Sequence, residues 1–366
     1  MRLVYLSPVP WTSFAQRPHK FVTCYHASTG GEVLWIDPYP TRFPSLSDFQ
    51  RFGAKADREN ESNPAWLSVV RPSVLPIEPL PGSGMVNALM WRSLLCVVDE
   101  FAQPQDCQLA IGKPSLLALT VLKRLKGTRS VYDAMDDFPA FYTGISRWAI
   151  RRRECQLVRN VDAVLASSTV IQRRWTQIRA DVQLVHNGLD AEVLPEFVGI
   201  SAAKGKKILG YVGTIATWFD WDWVIELAKK RPDDLVRLIG PVFCSIPTEL
   251  PDNIEMLPAC NHQAALVAMQ EFDIGLIPFK KNKLTASVDP IKYYEYRALG
   301  LPIISTDFGE MAFRGGEEGT FLSEGSQDIG AVVELALQHS TTIESVQQFR
   351  AGNSWELRFS GAKIIG

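Results

Sequence analysis

Only six cysteines occur among the 366 residues, and they form no CxxC pair and no Cys/His cluster. Disulfide frameworks and zinc sites show such spacings, so neither class of protein is indicated. The cysteines are instead typical of the buried thiols of a cytoplasmic protein. We therefore expect a cytoplasmic location and no metal ligated by cysteine.

Long apolar runs are also missing from the chain. A membrane-spanning helix needs about 18 consecutive apolar residues. The nearest stretch, residues 85–98, is interrupted by Asn87, Arg92 and Ser93. The first ten residues hold one arginine and a short apolar run, which predicts a buried strand and not a signal peptide.

A strong net charge is absent too, since the total is −2, and this argues against a nucleic-acid partner. The charge is unevenly distributed, however, with +5 on residues 1–190 and −7 on the remainder. A basic half beside an acidic half favours different partners for the two halves. Chance variation between two folded domains is the alternative explanation.

Short apolar runs alternate with longer amphipathic stretches, which predicts parallel sheets with helices on both faces. A turn at residues 186–190 (HNGLD) and a looser stretch up to residue 205 interrupt the alternation, which then restarts. We expect an α/β protein of two doubly wound Rossmann-like domains facing across a cleft. The expected divisions are a first domain over 1–190, a second domain over 191–345, and a helix over 346–366.

The segment SVDPIKYYEYRALGLPIIST, residues 287–306, holds the most informative group of side chains. Asp289 followed by Pro290 predicts a helix start with the Asp side chain as its cap. Lys292 falls in the first turn, and Glu295 lies three residues later on the same face. A helix start with a lysine binds phosphate, and a carboxylate one turn deeper can accept hydrogen bonds from a ribose. A surface Lys–Glu pair on an ordinary capped helix is the alternative.

This segment resembles the donor-binding helix of GT-B glycosyltransferases of the large bacterial group 1 type, where a Lys or Arg contacts the diphosphate and a Glu the ribose. Further stretches are similar in the same order: Arg17–His19, the HNGLD turn, the loop at Tyr211–Trp221 and FDIGLIPF at Phe272–Phe279. The resemblance covers nearly the whole chain. It implies a GT-B fold with an acceptor-binding domain over 1–190, a donor-binding domain over 191–345 and a helix over 346–366 that returns toward the first domain. It also implies a nucleotide-sugar donor, most simply UDP-linked, and no cofactor or metal, because GT-B enzymes generally work without one.

Gly213 and Thr214 follow a predicted strand of the second domain. A glycine there permits close approach of the backbone to a ligand, and the threonine adds a hydroxyl and an N–H. We expect both residues to contact the donor, with a simple tight turn as the alternative. Three aromatic residues follow, Trp218, Phe219 and Trp221, and they either shape a sugar pocket or fill the domain interface.

The sequence departs from the pattern of retaining members of the family at two places. Those members carry a second Glu eight residues before the ribose Glu, and this position is Ser287 here. They also tend to have a Lys near the glycine loop, whereas residues 214–222 contain none. Both departures argue against a retaining reaction.

Three acids, Asp133, Asp136 and Asp137, stand at the carboxyl end of a predicted strand. Sugar transfer with inversion needs a base to take the proton of the acceptor hydroxyl, and a carboxylate with a raised pKa suits that task. The pattern VYDAMDDFPAF is similar to a loop of the inverting xanthan-pathway glucuronosyltransferase, whose catalytic Asp matches Asp136 here. A polar loop that caps the next helix is the alternative.

Arg17 and His19 lie between the first strand and the first helix. Together with Asp133 they are candidates to contact the acceptor or the diphosphate, and His19 is a rival for the base because imidazole titrates near neutral pH. A lone histidine in such a segment is more often structural.

Two basic clusters mark the first half: residues 123–129, and Arg147 with Arg151–Arg153 beside Trp148 and Ile150. Such clusters fit an anionic membrane face, so peripheral contact at the inner face of the membrane is one expectation. A solvated helix face is the other.

The sequence thus predicts a glycosyltransferase that moves a sugar from a nucleotide-sugar to a glycan or lipid-linked acceptor in bacterial surface polysaccharide synthesis, with inversion and Asp136 as base. The alternatives are a nucleotide-sugar epimerase of the same fold and a non-catalytic nucleotide-sugar binding protein. Product formed from donor alone would favour the epimerase, and binding without turnover would favour the binding protein.

Overall fold

The computed structural model describes residues 1–41, 63–74, 83–103, 106–197, 205–324 and 329–362. Its contacts divide the chain into two compact units. The first unit is Met1–Val185 with the segment from Phe359 onward, and the second is His186–Arg358. The boundary expected from sequence is at 190/191, and residues 198–204 of the looser stretch that follows it lie outside the described residues.

The first unit is built on a parallel sheet of seven strands in the order β3-β2-β1-β4-β5-β6-β7. The five inner strands are almost entirely buried, because helices on both faces of a parallel sheet cover its interior, whereas the edge strands are only partly covered. Their bounds are β1 Arg2–Leu6, β2 Glu32–Ile36, β3 Leu67–Val70, β4 Cys107–Ile111, β5 Arg129–Ala134, β6 Ala163–Ala166 and β7 Val182–Leu184.

Helices connect these strands. Their bounds are α1 Gln16–Thr29, α2 Ser83–Met90, α3 Arg92–Ala102, α4 Leu116–Arg124, α5 Gly144–Asn160 and α6 Thr169–Thr176. A 3-10 turn, Phe138–Phe141, lies between β5 and α5. Ser115 caps α4 and Ser168 caps α6, each hydroxyl accepting a hydrogen bond from a backbone N–H of the first turn.

The second unit has a parallel sheet of six strands in the order β10-β9-β8-β11-β12-β13. Their bounds are β8 Ile208–Val212, β9 Leu235–Ile239, β10 Ile254–Leu257, β11 Ile274–Ile277, β12 Ile303–Thr306 and β13 Thr320–Ser323. The strand order reverses between β8 and β11, as it does between β1 and β4 in the first unit. Ligands of doubly wound sheets bind beside that point, outside the carboxyl ends of the strands.

The helices of the second unit are α7 Trp221–Lys230, α8 His262–Met269, α9 Ile291–Ala298, α10 Ile329–Gln338 and α11 Ile343–Gly352. A further helix, α12 Trp355–Gly361, carries the chain from the second unit into the first. The single helix expected over 346–366 is therefore two helices as far as residue 362. The break falls at Asn353 and Ser354, where the Ser354 hydroxyl accepts from the N–H of Leu357 and starts α12.

The last described segment completes the core of the first unit. Phe359 is buried and packs edge-on against Phe21 of α1, with ring centroids 5.1 Å apart. The guanidinium of Arg17 lies 5.8 Å from the same ring. The first unit thus includes residues that are far from each other in the sequence.

Candidate active site

The predicted donor helix is α9, which follows β11 and starts at the carboxyl edge of the second sheet. Its start differs from the prediction, because the cap position is Pro290 and no side chain caps the helix. Asp289 lies one residue before this cap position, and its carboxylate binds groups outside the helix start. Pro290 offers no side-chain acceptor, so the N–H groups of Ile291 and Lys292 remain for a ligand or for water.

Asp289 is a buried anchor of the loop before α9. Its Oδ1 lies 2.6 Å from the Arg314 guanidinium, and its Oδ2 accepts from the Tyr294 hydroxyl at 3.0 Å and from the Asn187 N–H at 2.7 Å. The Asn187 side-chain amide donates to the Asp289 carbonyl as well, at 2.7 Å. Asp289 therefore joins the HNGLD turn to the start of α9, which positions the donor helix, and its donor contact stays a prediction.

Lys292 and Glu295 lie together on one face of α9, as the helical spacing predicted. The Lys292 ammonium is 2.5 Å from Oε2 of Glu295, and the imidazole of His262 is 2.8 Å from Oε1. His262 begins α8, which follows β10, so two helices that start at the carboxyl edge meet here. No sequence pattern points to His262, because 33 residues separate it from Glu295.

The charge of Glu295 is fixed by these two partners. Burial acts to raise the pKa of its carboxyl, but Lys292 and His262 outweigh burial and bring the pKa to about 2. The side chain is therefore an anion throughout the physiological range. The Glu295 carboxylate holds the Lys292 ammonium beside the free N–H groups of the helix start. Together these groups can bind a phosphate and a sugar hydroxyl.

The turn at the end of β8 supplies further groups that can bind a donor. Gly213 has φ +154, which side-chain-bearing residues rarely adopt, and its N–H donates to the carbonyl of Ile239 at the end of β9. A Cβ on Gly240 would lie 2.0 Å from the Gly213 carbonyl oxygen, so this approach requires glycine. Within the described residues, the hydroxyl and N–H of Thr214 make no hydrogen bond, which leaves both for a ligand.

The donor helix and the Gly213 turn are joined inside the second unit. The Tyr296 hydroxyl, on the buried face of α9, accepts from the N–H of Val212 at 3.1 Å. Gly275 on β11 leaves room for the Tyr296 ring, since a Cβ there would lie 2.5 Å from it. The turn and the helix therefore flank the point where the strand order reverses.

The aromatic residues after Thr214 are mostly core residues. Phe219 and Trp221 are buried and their rings contact each other at 4.9 Å, and Phe219 also packs on Tyr211. Trp218 keeps part of its surface exposed. Of the three, Trp218 alone is positioned to contact a ligand.

In the first unit, Asp133 is the last but one residue of β5 and is completely buried. Its carboxylate binds the Arg17 guanidinium, with Nη2 at 2.6 Å and Nε at 3.0 Å, and Arg17 also donates to the carbonyl of Val185 at 2.7 Å. Both side chains are committed to this buried pair. The pair gives Arg17 and Asp133 a structural role, because separating the two charges in a buried site is costly, and their expected acceptor or diphosphate contacts stay a prediction.

Asp137 is also neutralised, since the Arg174 guanidinium of α6 binds both of its oxygens, at 2.7 and 2.6 Å. Asp136, between these two paired acids, has no hydrogen bond or ion pair to any described residue, and part of its surface is exposed. Burial of the carboxyl raises the pKa of Asp136; Arg17 opposes this, and Asp133 and Asp137 add to it, so that the pKa is about 7. The proton of Asp136 can therefore be exchanged near neutral pH.

A fourth acid, Glu154 of α5, lies behind this loop. It is buried, and its Oε1 accepts from the Tyr132 hydroxyl at 2.8 Å. Its other oxygen has no hydrogen-bond partner in the structure. Burial raises the pKa of Glu154; Tyr132 and Arg174 oppose this, and the pKa remains about 8. No motif marks this residue in the sequence, because it stands in an arginine-rich stretch of an otherwise ordinary helix.

His19 is held as a structural residue. Its ring stacks on Trp11 at 4.7 Å, and its two nitrogens lie 2.9 Å from the Ala15 carbonyl and 3.0 Å from the Trp11 carbonyl. The side chain is buried among Trp11, Phe14 and Trp35. These contacts favour the structural alternative for His19 and leave Asp136 as the candidate base.

Acidic, histidine and cysteine side chains that could hold a metal in groups of three or more do not occur among the described residues. No helix in the described part of the chain is long and apolar enough to cross a membrane.

Comparison with known proteins adds three findings, although no family model matches the chain. A curated relative, TuaH of Bacillus subtilis (strain 168), is assigned as a teichuronic acid biosynthesis glycosyltransferase and is 26% identical over 199 residues. The match covers 48% of this chain and 50% of the relative, so the chain spans about half the length of the curated protein it matches.

Two solved structures match over nearly the full length. Anabaena HepE, crystallised with UDP-glucose, has a TM-score of 0.64, is 13% identical and covers 99% of this chain and 98% of its own. The lipopolysaccharide outer core galactosyltransferase WaaB, in its apo form, has a TM-score of 0.63, is 10% identical and covers 99% of both chains.

The resemblance to GT-B glycosyltransferases is confirmed, because the curated relative and the structural neighbours are glycosyltransferases. The predicted fold class, α/β with two Rossmann-like domains, is confirmed as well. The chain therefore has the GT-B fold.

Proposed function

We propose that the chain is a glycosyltransferase that moves a sugar from a UDP-linked donor to a glycan or lipid-linked acceptor in bacterial surface polysaccharide synthesis. The GT-B fold, the name of the curated relative TuaH and the UDP-glucose held by HepE support this proposal. WaaB, a galactosyltransferase of lipopolysaccharide, is a further neighbour that acts on a surface glycan.

The observation that carries the proposal is the group formed by Lys292, Glu295 and the start of α9. The Lys292 ammonium and the N–H groups of the helix start would stabilise the negative charge that develops on the departing diphosphate. Glu295, held as an anion by His262 and Lys292, would accept hydrogen bonds from the ribose hydroxyls. Gly213 and Thr214 would bring backbone and hydroxyl groups to the same donor.

Asp136 would be the base, and the reaction would invert the anomeric carbon. The acceptor hydroxyl oxygen attacks the anomeric carbon, the bond from that carbon to the diphosphate oxygen breaks, and the hydroxyl proton passes to the Asp136 carboxylate. A carboxyl with a pKa of about 7 is half in the basic form at neutral pH and holds the proton well after the transfer. Pairing of Asp133 and Asp137 with arginines leaves Asp136 to this task.

We further propose that the reaction needs no metal and takes place in the cytoplasm, where nucleotide-sugars are available. The positive charge that a metal would bring to the diphosphate would come from Lys292 and the helix start. Transfer that continues undiminished in the presence of a chelator is the expected result, and loss of activity restored by Mg²⁺ would contradict the metal-free proposal.

The first experiment is thermal unfolding of the protein with a panel of UDP-, GDP- and ADP-linked sugars. A ligand bound only by the native state raises the unfolding temperature, so the donor is identified before any acceptor is known. We expect stabilisation by one UDP-sugar and its reduction in Lys292→Ala. Lys283→Ala, an exposed lysine of the loop before α9, is the matched control.

The second experiment is analysis of the product with the donor so identified. A product of inverted anomeric configuration is expected, and retention would refute the role of Asp136 as base. Conversion of the donor to an epimer without acceptor would point to the epimerase instead. Donor binding without turnover in any acceptor panel, unchanged in Asp136→Asn, would favour a binding protein.

A further inference from the structure

The turn after the acid loop and the first turns of α5 expose large apolar side chains. Phe141 is 50% exposed, Ile145 65% and Trp148 62%. Single exposed apolar residues are ordinary on soluble proteins, but three large ones within eight positions form a local patch that water solvates poorly.

Arginines surround this patch. Arg147, Arg151 and Arg152 are exposed on α5, and the Arg152 guanidinium lies 5.4 Å from the Trp148 ring. The only acid of α5, Glu154, is buried, so the exposed face of this helix carries positive charge with no carboxylate of its own. Arg147 and Arg151 have no ion pair or hydrogen bond to any described side chain.

Helical geometry separates the buried and exposed faces of α5. Ile145, Trp148 and Arg152 lie three and four residues apart and share one exposed stripe. Ile150 and Arg153, which belong to the basic cluster predicted from sequence, are buried on the opposite side. The surface therefore has a small apolar centre at the helix start with cationic groups around it.

A second apolar group is exposed on α2. This helix exposes Met85, Val86, Leu89 and Met90. A Cβ on Gly84 would lie 3.6 Å from the Leu116 side chain at the start of α4, and α4 packs against α5. Helix α4 therefore contacts both α2 and α5, and both of these helices add exposed apolar side chains to the first unit.

We propose that this face, centred on Ile145 and Trp148 and flanked by Arg147 and Arg151, docks the protein on an anionic lipid bilayer. The chemistry of the occupant follows from the surface: an apolar centre a few side chains wide fits the acyl boundary, Trp suits the headgroup level, and arginines bind lipid phosphates. An acidic protein groove would satisfy the arginines but would not require apolar groups on two helices.

The residues of the docking surface directly follow the acid loop of the candidate active site in the sequence. Asp136 is five residues before Phe141, and the 3-10 turn Phe138–Phe141 directly follows the acid loop. A bilayer at this face would present a lipid-linked acceptor close to the candidate base. This consequence depends on the proposed function, whereas the binding of lipid does not.

The test is sedimentation of the full chain with vesicles, either of phosphatidylcholine alone or of phosphatidylcholine mixed with phosphatidylglycerol. We expect binding to the anionic vesicles only, and its weakening by salt. The double variant Arg147→Glu and Arg151→Glu should bind at least about 25-fold more weakly, because each arginine at an anionic surface contributes about fivefold. The double variant Ile145→Ser and Trp148→Ser should also lose binding to the anionic vesicles, although its net charge is unchanged.

Matched controls separate this surface from general electrostatics. Lys123→Glu with Lys126→Glu makes the same change of charge at exposed positions in the last turn of α4 and just after it, at the opposite edge of the sheet. Phe243→Ser removes a side chain that is 61% exposed in the second unit. Both controls should keep most of the vesicle binding.

Two results with vesicles would overturn the proposal: no binding of the native chain to anionic vesicles, or losses of binding in the control variants equal to those in the test variants. A third would be a dimer, seen by sedimentation velocity in a chain that does not bind vesicles, which Ile145→Ser with Trp148→Ser dissociates. The last result would assign the face to a second copy of the chain. Thermal stabilisation of the same variants by the donor is measured in parallel. Retained stabilisation with lost vesicle binding shows that the lipid surface, and not the donor site, has been changed.

Discussion

Replacement of Glu154 by glutamine tests whether a neutral carboxyl is buried behind the acid loop. The pKa of Glu154 is raised by burial from an ordinary 4.5 to about 8. In the native state the group therefore holds a proton that the unfolded chain has already released in this range. Stability is fully present below the unfolded pKa and falls as the pH rises toward the native pKa.

The magnitude follows from the size of this shift. Each pKa unit corresponds to about 1.4 kcal/mol, so ionisation at the native site costs the folded state about 5 kcal/mol in total. Between about pH 5 and about pH 9 the native chain should lose about 4 kcal/mol of unfolding free energy through this one group. The amide of the Glu154→Gln variant does not ionise in this range, so the variant should lack that loss.

The assay is urea unfolding of the native chain and the Glu154→Gln variant at the two pH values, followed by signals from the first unit. The informative quantity is the difference between the two pH dependences, because Asp136 and other groups titrate equally in both proteins. Glu100→Gln, the same change at an exposed position of α3, should keep the native pH dependence. Equal losses of stability in the native chain and in Glu154→Gln would refute the reasoning.

Four further outcomes are expected. Asp136→Asn should lower transfer at least about 100-fold and leave donor binding intact; unchanged transfer would exclude it as base. In the native enzyme, transfer should fall about tenfold per pH unit below about pH 7, where Asp136 is protonated, and a rate independent of pH there would contradict the assignment. Glu295→Gln should weaken donor binding about 10- to 100-fold in calorimetry, since it removes charged hydrogen bonds. Gly240→Ala should destabilise the second unit by about 3 kcal/mol because its Cβ meets the Gly213 carbonyl; Gly330→Ala, which has open space, is the control.

The parts predicted best from sequence are those decided locally. Buried parallel strands read as short apolar runs, so the alternation of such runs with amphipathic stretches predicts the two parallel sheets with their flanking helices. Helical periodicity likewise places Lys292 beside Glu295. These features depend on residues within one turn or one strand of each other.

The features that escape prediction depend on the order of strands in each sheet. His262 reaches Glu295, and Arg174 reaches Asp137, only because the strands that precede the two partners end at the same edge of their sheet. The number of residues between such partners, 33 and 37, reflects whole strand–helix units and has no signature of its own. Asp289 shows the same limit, since its sequence position suggests a helix cap while Arg314 and Asn187 bind its carboxylate.

The division of the chain at Arg358 also bears on how the protein is made. Because the first unit is finished by Phe359, a ring that packs beneath Arg17, its core cannot be completed until Phe359 has been synthesised. The second unit, continuous from His186 to Arg358, stands between the two parts of the first unit in the sequence. The half that carries Asp136 therefore cannot complete its core before the whole of the half that carries Lys292 has been synthesised, although its own strands come first in the chain.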